Sequence, residues 1–183
     1  MLSIDIPALE IFIEETNEFI STQPVTLQME HSLISLSKWE QKWHKPFMSK
    51  LKEHEKTNEQ LLDYIRCMTL TKNVDDNVFL YMPAECIAKI NEYIDDPMTA
   101  TWFNRHKDEK PSREIMTSEL LYYYMIKLGI PVEFQKWHLN RLQTLIEVFA
   151  VKDAPPEKLS KAEIAKRRTA LNNARLAKYN TRG

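Results

Sequence analysis

The scarcity of glycine constrains this chain more than any other feature of its sequence. Only two glycines, Gly129 and Gly183, occur among 183 residues. Loops that wrap phosphate groups use glycine to bring backbone amides close to the ligand, and dinucleotide-binding folds place three glycines in a short fingerprint. Nucleophilic serines are often set on a glycine-containing elbow. The sequence therefore excludes P-loop and Rossmann-type nucleotide binding, and it gives no support to hydrolase chemistry.

Length and composition predict one main globular domain. Hydrophobic residues make up 43% and charged residues 28% of the chain, and these ordinary values argue against both disorder and a membrane protein. The first residues contain no basic region followed by a long apolar run, and no stretch reaches the length of a membrane span. We therefore expect a cytoplasmic protein.

The spacing of apolar residues predicts a mainly α (α+β) fold. A polar break divides an apolar-rich run over residues 9–20, and Val25, Leu27 and Met29 then alternate with polar residues, which predicts a small N-terminal antiparallel sheet. Residues 99–104 and 113–117 flank a charged stretch and predict one β-hairpin. Helical patterns are found around residues 36–43, from 58 to 68, from 83 to 95, from 118 to 128 and from 131 to 149.

The two helices on either side of Gly129 are the expected core. The first carries Leu121 and Met125 on an apolar face, and the second carries Trp137 and Leu142. Gly129 lies where a left-handed C-terminal cap is needed. Because so short a link joins them, we expect these helices to pack as a near-antiparallel pair.

A proline-rich linker predicts the domain boundary. The run Ala154-Pro155-Pro156 cannot continue a helix, so we predict a compact domain over residues 1–153 and a tail over residues 154–183. A capping box at residues 160–163 opens a stretch of good helix formers. From residue 157 to the end, eight lysines and arginines stand against two glutamates. The sequence therefore predicts a basic, helical C-terminal tail.

This tail is the strongest local signal for binding. Its cations could neutralise phosphates or pair with an acidic helical partner, whereas the alternative is a disordered tail that only aids solubility. The predicted partner-binding residues are Lys166, Arg167, Arg168, Leu171 and Arg175.

Residues that usually carry chemistry form no recognisable motif. Neither the histidines nor the cysteines have metal-ligand spacing, so we predict no metal, no cofactor and no catalytic residue, and two buried reduced thiols. The tryptophans favour the core, although some are candidates for partner contacts. These residues are His31, His44, His54, His106 and His138, with Cys67, Cys86, Trp39, Trp43, Trp102 and Trp137.

Several segments together resemble a known family. They are residues 31–40 (HSLISLSKWE), 63–69 (DYIRCMT), 94–100 (IDDPMTA), 135–142 (QKWHLNRL) and 180–183 (NTRG). These segments are similar to those of small proteins of long-tailed bacteriophages, the tail assembly chaperones encoded near the tape measure gene in siphophages and prophage tail modules. The resemblance spans nearly the whole chain.

The resemblance implies a non-enzymatic protein that binds the phage tape measure protein and helps to recruit tail tube protein. Such a protein would act in the host cytoplasm and be absent from the mature virion. Two alternatives stay open: a minor structural component of the virion tail or connector, and a nucleic-acid-binding protein that acts through the basic tail. No small-molecule substrate and no membrane are expected, and homo-oligomerisation is left open.

Overall fold

The computed structural model of this protein describes residues 1–14, 17–103, 114–153 and 161–179. Short strands followed by helices confirm the predicted mainly helical α+β class. The strands are β1 (Leu2–Ile6), β2 (Leu9–Ile13), β3 (Glu18–Thr22) and β4 (Val25–Met29). The helices are α1 (Leu33–Trp43), α2 (Asn58–Met68), α3 (Asp76–Leu80), α4 (Ala84–Asp95), α5 (Ser118–Lys127), α6 (Leu139–Asp153) and α7 (Lys161–Tyr179), with 3-10 turns at Lys52–His54 and Val132–Lys136.

The four strands form one interrupted β-ribbon. β1 pairs antiparallel with β4, and β2 pairs antiparallel with β3. The same register continues from one pair to the other and places Pro7 opposite Pro24. Since proline has no backbone N–H to donate, these facing prolines divide the ribbon into two separate pairs. The antiparallel pairing confirms the predicted N-terminal antiparallel sheet. Leu27 and Met29 of β4 are fully buried.

Helix ends follow local capping chemistry. Thr57 and Gln60 form the predicted capping box of α2, in which each side chain accepts from the other residue's backbone N–H. The Thr117 hydroxyl accepts from a backbone amide in the first turn of α5. After α5, Gly129 adopts a φ of 65°, the left-handed conformation predicted for this position.

Two buried clusters make up the core. The first lies between the β1–β4 pair and helices α2, α3 and α4, and it contains Trp39 of α1. The Trp39 indole N–H donates to the backbone oxygen of Gln60 over 2.7 Å, so this large side chain is satisfied as well as buried. The second cluster joins Leu33 and Leu36 of α1 to residues of α5 and α6. Helix α1 therefore belongs to both clusters.

The chain between β4 and α1 connects the two clusters, and we call residues 30–32 the joint segment. On one side, the N–H of Glu30 donates to the backbone oxygen of Met68 over 2.9 Å. On the other side, the backbone oxygen of His31 accepts from the N–H of Leu139 over 2.7 Å. The joint segment thus ties the end of α2 and the start of α6 to the same short stretch of backbone.

The structure corrects the predicted β-hairpin. Residues 99–103 and 114–117 contain no strand, and residues 104–113 lie outside the described residues. The second two-stranded pair of the fold is β2–β3, within the N-terminal ribbon. A polar stretch between two short apolar runs does not by itself provide the cross-strand contacts that make a hairpin.

The structure also corrects the helix predicted from Pro131. A 3-10 turn follows Pro131, Trp137 is extended, and α6 begins only at Leu139. Its start is set by tertiary contacts, because the Asn140 amide donates to the backbone oxygens of Ile94 and Asp96 over 2.9 and 2.8 Å. Helix α5 packs mainly on α1 rather than on α6, so the expected pair of helices supplies only part of one cluster.

The chain separates into two units, Met1–Phe149 and Ala150–Gly183. The second unit contains the last turn of α6 and the whole of α7, while the predicted capping residue Ser160 lies outside the described residues. The boundary predicted at residues 153 and 154 stays a prediction. No helix in the described ranges is both long enough and apolar enough to cross a membrane.

Candidate functional site

Helix α7 carries all five residues that the sequence singled out for partner binding. It extends over 19 residues, from Lys161 to Tyr179, as predicted for the basic tail. Of the residues whose side chains are described, every one on this helix is exposed. Leu171 is 51% and Tyr179 is 66% exposed.

The helix sorts the predicted residues onto different faces. Arg168, Leu171 and Arg175 are separated by three and four positions and therefore share one face. Lys166 precedes Arg168 by two positions and lies about 160° away around the helix axis. The side chain of Arg167 lies outside what the structure describes. The predicted set is thus a cationic face with a central leucine, plus one lysine on the opposite side.

This cationic face, Arg168, Leu171, Arg175 and Lys178, has the chemistry of a helix-binding surface. Three cations surround one exposed apolar side chain, a pattern that matches an amphipathic partner with acidic edges. The Lys178 ammonium also lies 5.6 Å from the ring centroid of Tyr179, which places a cation over an exposed aromatic ring. An isolated helix gains little stability from its own contacts, so a partner that covers Leu171 would stabilise it.

A buried histidine pair is the main feature that sequence reasoning missed. The ring centroids of His31 and His138 lie 5.0 Å apart, in the joint segment and just before α6. The Tyr64 hydroxyl is 2.6 Å from Nδ1 of His31. Nε2 of His138 donates to the backbone oxygen of Tyr93 over 2.9 Å. No local motif joins these residues, because they come from different parts of the sequence.

Both imidazoles are held neutral. Burial lowers the pKa of His31 to about 3, and the repulsion that a second protonated ring, His138, would exert adds to this shift. Burial also lowers the pKa of His138, although its hydrogen bond to Tyr93 and the carboxylates of Glu30 and Asp96 oppose this shift. Nδ1 of His138 is buried without a hydrogen-bond partner among the described residues. The pair can respond to acid, but it has no exposed substrate-facing atom.

Two buried carboxylates stabilise the turns around α1 rather than forming an acid–base pair. Asp63 accepts from the Lys42 ammonium and from the Trp43 indole. Glu40 accepts from the backbone N–H groups of Phe47 and Ser118, over 2.8 and 2.7 Å. With their acceptors already occupied by donors of the protein, these groups act structurally.

Other predicted residues fall in separate places. Cys86 is buried and Cys67 is half-buried, and both are free thiols, so the prediction of buried reduced thiols holds fully only for Cys86. Burial and the nearby Asp63 raise the pKa of Cys67, which keeps it a thiol. Trp39 lies in the core, whereas Trp102 is 83% exposed. Within the described ranges, no three metal-ligating side chains converge.

Comparison with protein-family models, curated proteins and solved structures finds no match to this chain. The resemblance to tail assembly chaperones therefore depends on the sequence segments alone. Three of those segments, residues 31–40, 63–69 and 135–142, contain the buried residues His31, Tyr64 and His138. In this fold the similar residues thus include those that hold the core together.

Proposed function

We propose that this protein is a non-enzymatic tail assembly chaperone of a long-tailed bacteriophage. The observation that carries the binding part of this proposal is the exposed cationic face of α7, with Leu171 uncovered between Arg168 and Arg175. The resemblance of the sequence segments supplies the specific role. The proposed partners are the tape measure protein and the tail tube protein, in the host cytoplasm.

The physical case for binding depends on the exposed apolar side chains of α7, such as Leu171 and Tyr179. A single exposed helix gains little stability from its own contacts, and its folding becomes more favourable when a partner covers its apolar residues. The resemblance implies that the tape measure protein is long and aggregation-prone, so it would benefit from a partner that covers its apolar surface. Binding through α7 would keep that surface from self-association while the tail polymerises.

Co-purification from infected cells tests this proposal with a matched pair of variants. Arg175→Glu reverses a charge on the cationic face, and Lys166→Glu makes the same change on the opposite face. We expect the tape measure protein to co-purify with wild type and with Lys166→Glu, and to be reduced at least fivefold with Arg175→Glu. Equal recovery with both variants would remove α7 as the binding surface.

The two alternatives predict different outcomes. A minor tail or connector component would be found at fixed stoichiometry to the tail tube protein in purified particles, whereas a chaperone is abundant in lysate and absent from particles. Mass spectrometry of both fractions separates these cases. A nucleic-acid-binding protein would instead retain DNA or RNA, with an affinity that falls steeply as salt increases.

A further inference from the structure

An apolar cavity lies beside the first core cluster. Its volume is about 520 Å³, which is within the range of small-molecule sites. Helices α2, α3 and α4 provide most of the walls, and the loop before α2 closes one side. The apolar lining residues are Phe47, Leu61, Leu62, Ile65, Phe79, Leu80, Ile87 and Ile94.

One cation, Lys56, lines this cavity. Its ammonium donates to the backbone oxygen of Ser49 over 3.2 Å and lies 5.0 Å from the ring centroid of Phe47. Ion pairs among the described residues join Met1 to Glu30, Lys42 to Asp63 and Arg66 to Asp76, and none includes Lys56.

The partly buried ammonium of Lys56 can accommodate a further acceptor. An ammonium has three N–H donors, and the described residues supply one carbonyl oxygen and one ring face. Burial lowers the pKa of Lys56, which indicates that the charge is partly removed from water without a carboxylate in compensation. An anion at this end of the cavity would therefore replace lost hydration.

The remaining polar lining adds no competing charge. Asn58 and Asn91 are neutral, can both donate and accept, and lie at exposed positions. Leu61 is 44% and Leu80 is 54% exposed, so apolar surface extends from the cavity to its mouth. The shape and charge together select a ligand with an apolar body and a negative end.

We propose that this cavity binds an anionic amphiphile, a molecule with an unbranched hydrocarbon chain that fills the apolar walls and a carboxylate that pairs with the Lys56 ammonium. The chain gains from each methylene that leaves water, while the ammonium discriminates in favour of the negative head group. This inference is independent of the proposed role of α7, because none of the lining residues belongs to that helix.

Isothermal titration of the full-length protein with dodecanoate and dodecyltrimethylammonium, both below their micelle concentrations, tests the proposal. These probes have alkyl chains of nearly equal length, the cation's being one carbon longer, and opposite charge. We expect wild type to bind dodecanoate at least tenfold more tightly than the cation. Decanoate, shorter by two methylenes, should bind about tenfold more weakly than dodecanoate.

Variants identify the site. Lys56→Met should weaken dodecanoate binding about tenfold and abolish the preference for the anion, whereas Lys89→Met, which removes an exposed lysine from α4, should leave both unchanged. Ile87→Trp should fill the cavity and weaken both probes while the ammonium is retained. Circular dichroism confirms that each variant is folded.

Three results would overturn the proposal. Equal affinity for the two probes would show that Lys56 does not select an anion. A preference that persists in Lys56→Met would place binding elsewhere. No binding by wild type would show that this cavity is no amphiphile site.

Discussion

Acidification from pH 7 to pH 5 should destabilise the first unit through the buried His31. The pKa of His31 is lowered to about 3 in the folded protein, against an ordinary value of 6.5. The unfolded chain therefore binds more protons than the folded chain between these values. The contribution of neutral His31 to the free energy of unfolding is fully present above the unfolded pKa of 6.5. It is lost progressively as the pH falls from 6.5 towards the folded pKa.

The magnitude follows from proton linkage. At pH 5 a histidine with a pKa of 6.5 is almost fully protonated in the unfolded chain, while His31 remains neutral in the folded one. The free energy of unfolding should therefore fall by about 2 kcal/mol between pH 7 and pH 5. This figure changes little as long as the folded pKa stays below about 4. It corresponds to a decrease in Tm of about 4–8 °C for a chain of this size.

Urea denaturation followed by tryptophan fluorescence at pH 7, 6 and 5 measures this loss, because Trp39 is buried in the first cluster. His31→Asn offers an oxygen that can accept from the Tyr64 hydroxyl but does not titrate. We expect this variant to be less stable than wild type at pH 7 and to lose about 2 kcal/mol less on acidification. His138, whose pKa is also lowered, accounts for part of the dependence that remains.

His44→Asn is the matched control. His44 is exposed, and its φ of 52° is a conformation that asparagine tolerates. This variant should keep the pH dependence of wild type. The reasoning is refuted if wild type is equally stable at pH 7 and pH 5, or if His31→Asn loses as much stability as wild type does.

Substitutions at Gly129, Glu40 and Trp39 each probe a single local feature, and each is measured by urea denaturation at pH 7. Gly129→Ala should destabilise the protein by about 1 kcal/mol because residue 129 has a positive φ, and Gly129→Asn should destabilise it by less. No neighbour lies within 4 Å of the added Cβ. A larger loss would therefore contradict an origin in the backbone conformation alone. Glu40→Gln should cost about 2 kcal/mol, since one of the two amides bonded by Glu40 loses its acceptor. Exposed Glu119→Gln keeps an oxygen for the Ser118 hydroxyl and loses only a favourable charge in the first turn of α5, so it should cost about 0.5 kcal/mol. Trp39→Phe should cost about 3 kcal/mol, through a cavity and the loss of the bond to Gln60.

Features encoded within a few residues could be predicted from the sequence. The Thr57–Gln60 capping box, the left-handed Gly129 and the ends of α4 depend on neighbouring side chains or on proline and glycine geometry. Helix α3 was not predicted, because five residues are too few to show a helical period. Pro131 was misinterpreted because proline is equally suited to the start of an α-helix and of a 3-10 turn.

Features that depend on distant contacts could not be predicted in this way. Strand β1 (Leu2–Ile6) was not predicted, and it is this strand that pairs with the predicted Val25–Met29 strand, β4. The His31–His138 contact has no local signature at all. On α7, the spacing of Arg168, Leu171 and Arg175 was sufficient to place them on one face, since a helix alone determines that arrangement.

The joint segment explains why acid should act on the whole first unit rather than on one element. The backbone oxygen of His31 accepts from Leu139 at the start of α6, and its side chain meets Tyr64 of α2. A proton on this imidazole must be accommodated beside a second buried imidazole, so the ring can gain water only if the surrounding contacts separate. Tyr64 belongs to the first cluster and Leu139 to the second. Helix α1, which directly follows the joint segment, packs in both clusters. The same residues that join the clusters therefore make their stability depend on a common ionisation state.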